Sequence, residues 1–450
     1  MTAEKALTTT TNRPGSLFRQ RSFALLWAGQ SVSMFGTQIT YVALPITAVV
    51  ILQATPMETG VLTALEQLPF LLFGLFVGVL VDRRARRPIL IGANVVRCAA
   101  LAWIPIAYLL DLLTIGHLFL VAFVVGTMTV FFDLAYQSYV PGLVGRERLM
   151  EANGKLQVSE SVAEIAGPGI AGVLISAISA PVVIAVDAFS YVLSALALVK
   201  MPADAPSAPR AGAGRPAPSV WASVREGFSV IGRHTLLRWC TTAAVVTALF
   251  LSALTAVLFL FLIREAGIGT AQVGLIVAAG SAGALLGALS VDRLGDRIGV
   301  GPTLVLSLTL PGVGYFILAS VEGNSLAAVA TAAAANFIAL FGIPVFDVTV
   351  ISFRQVVTPD HLLGRVNATV RTLAWGSLSL GALLGGALGS TLGLRPTILI
   401  AAGGLLLPAV ILLLSPVRRV RRLGGAEATE TEAAAEATTD TSPRRPSHDH

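Results

Sequence analysis

Cysteine is nearly missing and charge is sparse. Only two cysteines occur in 450 residues, Cys98 and Cys240, each in or at the edge of an apolar stretch. Neither has metal-ligand spacing, so a thiolate metal centre is excluded and both are expected to pack as small apolar residues. The five histidines fall in loops or tails, which leaves neither a histidine metal site nor a deep histidine proton relay. No cofactor is expected. Charged residues are 12% of the chain, against about 25% in soluble proteins. With 55% hydrophobic residues and a mean hydropathy of +0.79, a soluble fold is excluded. No Gly-x-x-x-x-Gly-Lys-Ser/Thr loop is present, which argues against an ATP-driven pump. Short alternating strands of about ten residues are also missing, so a membrane β-barrel does not fit.

What is there in quantity is apolar sequence in lengths of about twenty residues, enough to cross a ~30 Å hydrocarbon layer as helix. Twelve such spans are predicted, beginning near Ser22, Thr59, Ile89, Ile115, Lys155, Pro181, Arg238, Ala271, Gly301, Ser325, Val366 and Pro396. The class is therefore all-α integral membrane protein. The polar, basic arm of residues 1–21 precedes an apolar run too long for a signal peptide, so the first helix is expected to remain as an anchor.

Basic residues fix the orientation. All 31 Lys and Arg except Arg97, Arg264 and Arg395 fall on one side of the predicted spans. They cluster in the arm, in the short loops at Arg83 to Arg87 and Arg293 to Arg297, in the central connection and in the tail. The positive-inside rule then places both termini in the cytoplasm of a bacterial-type plasma membrane. The basic isoelectric point, near 9.7, reports this topology, and no nucleic-acid partner is expected.

The chain divides into two six-helix bundles, residues 22–200 and 238–417. Between them lies a connection at 201–237, Pro/Ala/Gly-rich in its first part. Its second part, Ser219 to His234, spaces Val220, Val224, Phe228 and Ile231 as an amphipathic helix, either on the membrane surface or packed on loops. The tail, 418–450, is rich in Ala, Thr and Glu and is expected to be disordered. The bundles are related: Asp133 and Asp347, Leu149 and Leu363, Asn153 and Asn367, Gly167 and Gly381, and Gly172 and Gly386 all match at an offset of 214 residues. "VDRRARR" (Val81 to Arg87) likewise faces "VDRLGDR" (Val291 to Arg297). These are parallel repeats.

Twelve spans, the 6+6 repeat, the long central connection and a Gly-x-x-x-Asp-Arg-x-x-Arg-Arg loop resemble the major facilitator superfamily over residues 16–420. The loop residues are Gly78, Leu80, Asp82, Arg83, Arg86 and Arg87; Ala85 stands where the family usually has glycine. The second copy is looser, with Asp292, Arg293, Gly295 and Arg297. The resemblance implies that Asp82 reaches the N-terminus of the eleventh helix and Asp292 that of the fifth. A carboxylate gains roughly 0.3–2 kcal/mol at such a site, which would make the pair a latch for the outward-facing state. The alternative is that the arginines only set topology. "FFDLAYQSYVPGLVGRERLMEANGKLQ", "AGPGIAGVLI" and "DAFSYVLSALAL" resemble the branch of enterobactin-type siderophore exporters and macrolide efflux proteins. The cluster Gly167, Pro168, Gly169 and Gly172 resembles the exporters' fifth-helix signature, or serves packing alone.

Ionisable residues inside a bilayer are functional candidates by default. Glu164 lies ~14 Å into the fifth helix, with Glu160 one turn away on the same face. Two like charges so placed in low dielectric make Glu164 a candidate proton carrier; the alternative is a neutral packed carboxyl. Asp133 and its repeat partner Asp347 sit on the fourth and tenth helices, which the resemblance makes cavity-lining. Arg97, ~12 Å into the third helix, could neutralise Asp133 as a structural pair. Glu66 is placed to meet a cationic substrate, and Asp187 reads as shallow, interfacial and hydrated. Proton-coupled members of the family carry a deep acid in the first helix and an arginine in the fourth. Here the first helix offers only Gln30 and Gln38 and the fourth has no arginine, so proton coupling rests on the resemblance and on Glu160, Glu164 and Asp133. The expectation is a monomeric secondary transporter exporting an amphipathic small molecule against protons. An uptake facilitator and a non-transporting receptor or assembly factor are the competing readings.

Overall fold

The computed structural model describes residues 17–201, 228–358 and 360–421. Twelve long helices follow one another: α1 (Arg21–Ile46), α2 (Pro56–Arg83), α3 (Arg86–Leu109), α4 (Ile115–Val144), α5 (Leu149–Ala177), α6 (Ala180–Val199), α7 (Thr235–Leu260), α8 (Thr270–Ile298), α9 (Val300–Ala319), α10 (Leu326–Val357), α11 (Asp360–Leu392) and α12 (Leu394–Leu413). Among the described residues, eleven stretches are long and apolar enough to cross a membrane. Every predicted span coincides with a helix, and the starts agree within about six residues.

The largest differences in start fall at α5 and α11. α5 begins at Leu149 rather than Lys155, and α11 at Asp360 rather than Val366. Hydropathy marks the part of a helix that meets lipid, whereas the helix continues into water wherever its own polar groups support it. In α5 the first turn is held by Glu151, paired with Arg148 (3.2 Å) and Lys155 (3.7 Å) and accepting from the Leu17 backbone amide (3.4 Å). In the central connection, the part of the amphipathic stretch that is described is helical at 228–233, with Ile231 buried and Phe228 exposed. The remainder, and most of the tail, lie outside the described residues.

Packing repeats along with sequence. In the first half α1 packs on α5 and α6, α2 on α4, and α3 on α4 and α6; in the second half α7 packs on α11 and α12, α8 on α10, and α9 on α10 and α12. The halves meet along two seams, α2 with α11 and α5 with α8. Each seam depends on glycine at the end away from the termini. A Cβ on Gly60 would lie 2.7 Å from the Ala382 carbonyl oxygen, and one on Gly172 would lie 2.7 Å from that of Ala271. Farther along, Phe70 of α2 stacks on Trp375 of α11, with ring centroids 4.0 Å apart. Toward the arginine-rich end the helices separate: among the described residues, no neighbouring atom lies within 4 Å of where a Cβ on Gly74, Gly78 or Gly154 would stand.

Candidate functional site: a charged cavity inside the first half

The first half holds a half-open cavity of about 190 Å3 bordered by Gln30, Ser33, Met34, Thr37 and Gln38 of α1, Arg97 of α3, Thr129, Phe132 and Asp133 of α4, Glu160 of α5 and Tyr191 of α6. Five helices of one repeat therefore bring five of the sequence-predicted residues together: Gln30, Gln38, Arg97, Asp133 and Glu160. Glu164, one turn beyond Glu160, is half-buried. Asp347 is exposed on α10 of the other half and does not line this cavity.

Arg97 is the anchor. Its side chain is 5% exposed, and its guanidinium lies between two aromatic rings, 4.3 Å from the centroid of Phe132 and 4.3 Å from that of Tyr191. Such cation–π contacts gain about 2 kcal/mol or more when desolvated. Nη2 donates to Asn94 Oδ1 (2.5 Å), whose own amide donates to Ser194 Oγ (3.0 Å). No ion pair within 4 Å joins Arg97 to Asp133, although both border the cavity. The charge is thus held by rings and a neutral amide, and the nearby carboxylates keep their oxygens for other partners.

Asp187 corrects a sequence expectation. It is 1% exposed rather than hydrated, and its carboxylate accepts from Thr40 Oγ1 (2.7 Å) and Ser190 Oγ (3.0 Å). Position along α6 alone does not show this burial. α1 packs across that helix, and Gly36 leaves the room that the carboxylate occupies. Thr37 Oγ1 and Tyr191 Oη, 3.1 Å apart, connect this buried acid's neighbourhood to the cavity wall.

Glu66 lies elsewhere. It borders a separate cavity of about 200 Å3 between the halves, with Tyr41 and Val49 of α1 and the turn after it, Thr255 and Phe259 of α7, and Leu378 of α11. Gln30 and Gln38 are not part of it, so the three residues grouped as a substrate cavity divide between two spaces.

The arginine-rich loops are partly seen. Asp82 and Arg83 end α2, and their side chains lie outside the described residues. The antiparallel course of α2 and α11, from Gly60 beside Gly386 through Phe70 on Trp375 to Gly74 and Asn367 around a shared cavity, carries the end of α2 toward the start of α11. Arg87 has a local partner: Nε and Nη2 donate to the carbonyls of Leu198 (2.8 Å) and Val199 (2.6 Å), capping the C-terminus of α6. Asp292 is exposed on a cavity of about 1080 Å3 at the ends of α8 and α10, which Arg297 also borders. It has no ion pair or hydrogen bond among the described residues. Arg86 is the first residue of α3, and Asp292, Arg293 and Arg297, expected in a loop, lie in the last two turns of α8, which runs on to Ile298. In the fifth-helix cluster, a Cβ on Gly167 would meet Gln38 of α1 (2.5 Å), Gly172 meets α8, Pro168 is buried, and Gly169 faces open space. The cluster wedges α5 between α1 and α8.

The comparisons with known proteins agree with this architecture. Residues 13–441 match the transmembrane secretion effector family, and the chain belongs to it, within the major facilitator superfamily. Macrolide efflux protein A of Streptococcus pyogenes is 31% identical over 182 residues, 40% of this chain and 45% of that protein, so the match spans less than half of the relative. Multidrug efflux pump Tap of Mycolicibacterium fortuitum is 26% identical over 414 residues, 89% of this chain and 95% of that one. Among solved structures, a mutant of the nucleoside transporter NupG superposes with a TM-score of 0.72 at 11% identity, covering 87% of this chain and 99% of its own. A bacterial homologue of the iron transporter ferroportin in its inward-facing state gives 0.67 at 17%, covering 88% and 98%. At these identities the structures establish the fold alone.

Proposed function

We propose that this protein is an efflux transporter that carries an amphipathic small molecule, of the size and character of a macrolide or a similar drug, out of the cell by alternating access. Protons move in the opposite direction. The observation that carries the reading is the asymmetry of the two-repeat bundle: tight glycine seams at the arginine-poor end, separated helices at the arginine-rich end, and charged space between. The likeness to macrolide efflux protein A and to multidrug efflux pump Tap supports export. In this reading both termini are cytoplasmic, the membrane is the bacterial plasma membrane, the unit is a monomer, and the conformation is inward-facing.

Roles follow from position. Glu164 and Glu160, on the α5 face beside the cavity, are the coupling carboxylates, with Asp133 and Arg97 bordering the same cavity from α4 and α3. Glu66, between the halves, meets a basic group of the substrate. Asp82 and Asp292 act when the cytoplasmic ends close, each supplying a carboxylate to a helix N-terminus of the other half.

Transport into inverted membrane vesicles tests this reading. With an imposed pH gradient, wild-type vesicles should accumulate at least one member of a panel of macrolides, other antibiotics and siderophores. Glu164→Gln should equilibrate that compound without concentrating it, because the neutral side chain breaks the link between proton and substrate. Concentrative transport by Glu164→Gln would move the carrier elsewhere, with Asp133 next; no accumulation of any probe by the wild type would contradict efflux of this class.

A further inference from the structure

The first helix of each half ends in the same uncommon way. α1 runs into a five-residue π turn, Thr47–Ile51, and α7 into another, Phe261–Glu265. Their main-chain bonds coincide at the repeat offset. Leu52 donates to the Thr47 carbonyl (3.1 Å) and Ala54 to that of Ala48 (2.9 Å); Ala266 donates to Phe261 (2.8 Å) and Ile268 to Leu262 (2.8 Å). Gln53 and Gly267, again one repeat apart, both take positive φ, 52° and 72°. π turns widen the helix, re-aim its carbonyls and concentrate at functional positions.

The two turns differ in what they carry. The first is "TAVVI", without charge, and the second is "FLIRE". Arg264 of the second reaches across the halves: Nη2 donates to the Val49 carbonyl (2.8 Å) and to Gln53 Oε1 (3.4 Å) of the first. Its neighbour Glu265 is tied back into the second half, accepting from Arg395 Nε (3.1 Å) and from the Arg395 main-chain amide (3.2 Å), while Arg395 Nη1 donates to Glu322 Oε1 (2.6 Å). Gln53 holds a left-handed backbone where the repeat partner is glycine. Its amide donates to the Val50 carbonyl (2.8 Å) and so presents its oxygen to Arg264. A glycine there would relieve the backbone but could not supply that oxygen. Arg264 and Arg395 are also the two arginines on the arginine-poor side, where the topology rule disfavours them. Both are engaged in this one assembly.

We infer that the paired π turns form the outer gate of the transporter, with Arg264 as the group that closes it and Glu265, Arg395 and Glu322 as its mounting. Val49 borders the cavity that holds Glu66, Tyr41 and Phe259, so this contact lies on the wall of the space between the halves. That space opens outward only when Arg264 leaves Val49 and Gln53. The inference rests on the alternating-access reading above and adds a positioning residue to it.

Nitroxide labels at Asp111 and Asn324, exposed at this end on opposite halves, report the gate in full-length protein in lipid nanodiscs. A second pair at Ala85 and Ile298 reports the other end. Arg264→Gln should raise the population of long outer distances relative to short ones about tenfold, as expected for losing a charge-assisted bond, while the inner pair shortens. Gln53→Gly, which leaves the backbone unstrained, should move the same population about twofold to threefold, and Glu265→Gln should fall between. An unchanged outer distribution in Arg264→Gln overturns the gate, as does lengthening at both ends, which would indicate loosened packing. Should the distances shift as described while wild-type vesicles export no probe, the gate stands and the efflux reading fails. Export without any shift has the opposite meaning.

Discussion

The two ends of the bundle use glycine in opposite ways. At the arginine-poor end Gly60 and Gly172 lie where the halves touch backbone to backbone, and any side chain there would enter a neighbouring helix. At the arginine-rich end Gly74, Gly78 and Gly154, on the same two helices, meet no atom of the described residues. α2 and α5 therefore each carry one set of small residues that is in contact and a second set that is not. For two halves that rock about a central site, this is the pattern of one closed gate and one open one. The second set becomes necessary when the other end closes.

Bulk added at each end separates these roles, and it should produce the largest effect. Gly172→Leu or Gly60→Leu must push α8 or α11 away, at about 1–3 kcal/mol or more of overpacking, so the closed end should open and transport in vesicles should fall to background. Gly74→Leu and Gly154→Leu should leave the inward-facing form intact in thermal unfolding of the purified protein, yet slow transport by impeding closure. Equal loss of stability from all four would remove the distinction between the ends.

Within the first half the comparison is between a charge with direct partners and charges without them. Asn94→Ala deprives buried Arg97 of its amide acceptor and Ser194 of its donor. A loss of about 2–4 kcal/mol is expected, read as a marked drop in the melting temperature of detergent-solubilised protein. Asp133→Asn should leave that temperature within a few degrees of wild type, since the guanidinium is held by Asn94, Phe132 and Tyr191. The reverse ranking would restore Asp133 as the structural partner of Arg97.

The smallest effects are expected at the two arginine-rich segments. Asp82→Asn removes a carboxylate worth roughly 0.3–2 kcal/mol at a helix terminus, a few-fold change in the inward-to-outward ratio and a matching fall in transport rate. Asp292→Asn should change less, because its motif is the less complete copy. Both should insert and fold normally, as judged by expression and gel filtration. A null effect of Asp82→Asn on transport would leave the arginines of that loop with topology alone.

Most of the scaffold was legible in the sequence. Apolar length gave the helices, arginine placement gave the two ends, and the offset from Asp133 to Asp347 gave the repeat. Hydropathy could not show α5 starting at Leu149, because Glu151, Arg148 and Lys155 build a helical turn out of residues that the scale reads as loop. It also could not show the burial of Asp187, which depends on a glycine in another helix, Gly36, and on hydroxyls from Thr40 and Ser190. The π turns left no apolar signature at all. One signal was present and unread: Val49 to Gln53 and Ile263 to Gly267 stand at the repeat offset, and the second copy places an arginine where topology disfavours one.

The most direct test of alternating access is to follow both ends of the unmodified cycle together, with the nitroxide pairs described above, as pH is lowered and a transported macrolide is added. The account predicts reciprocal change: the arginine-rich end shortens as the arginine-poor end lengthens, with the order reversed when substrate and acid are removed. Distances that change at one end only, or at both ends in the same direction, while transport continues would contradict it.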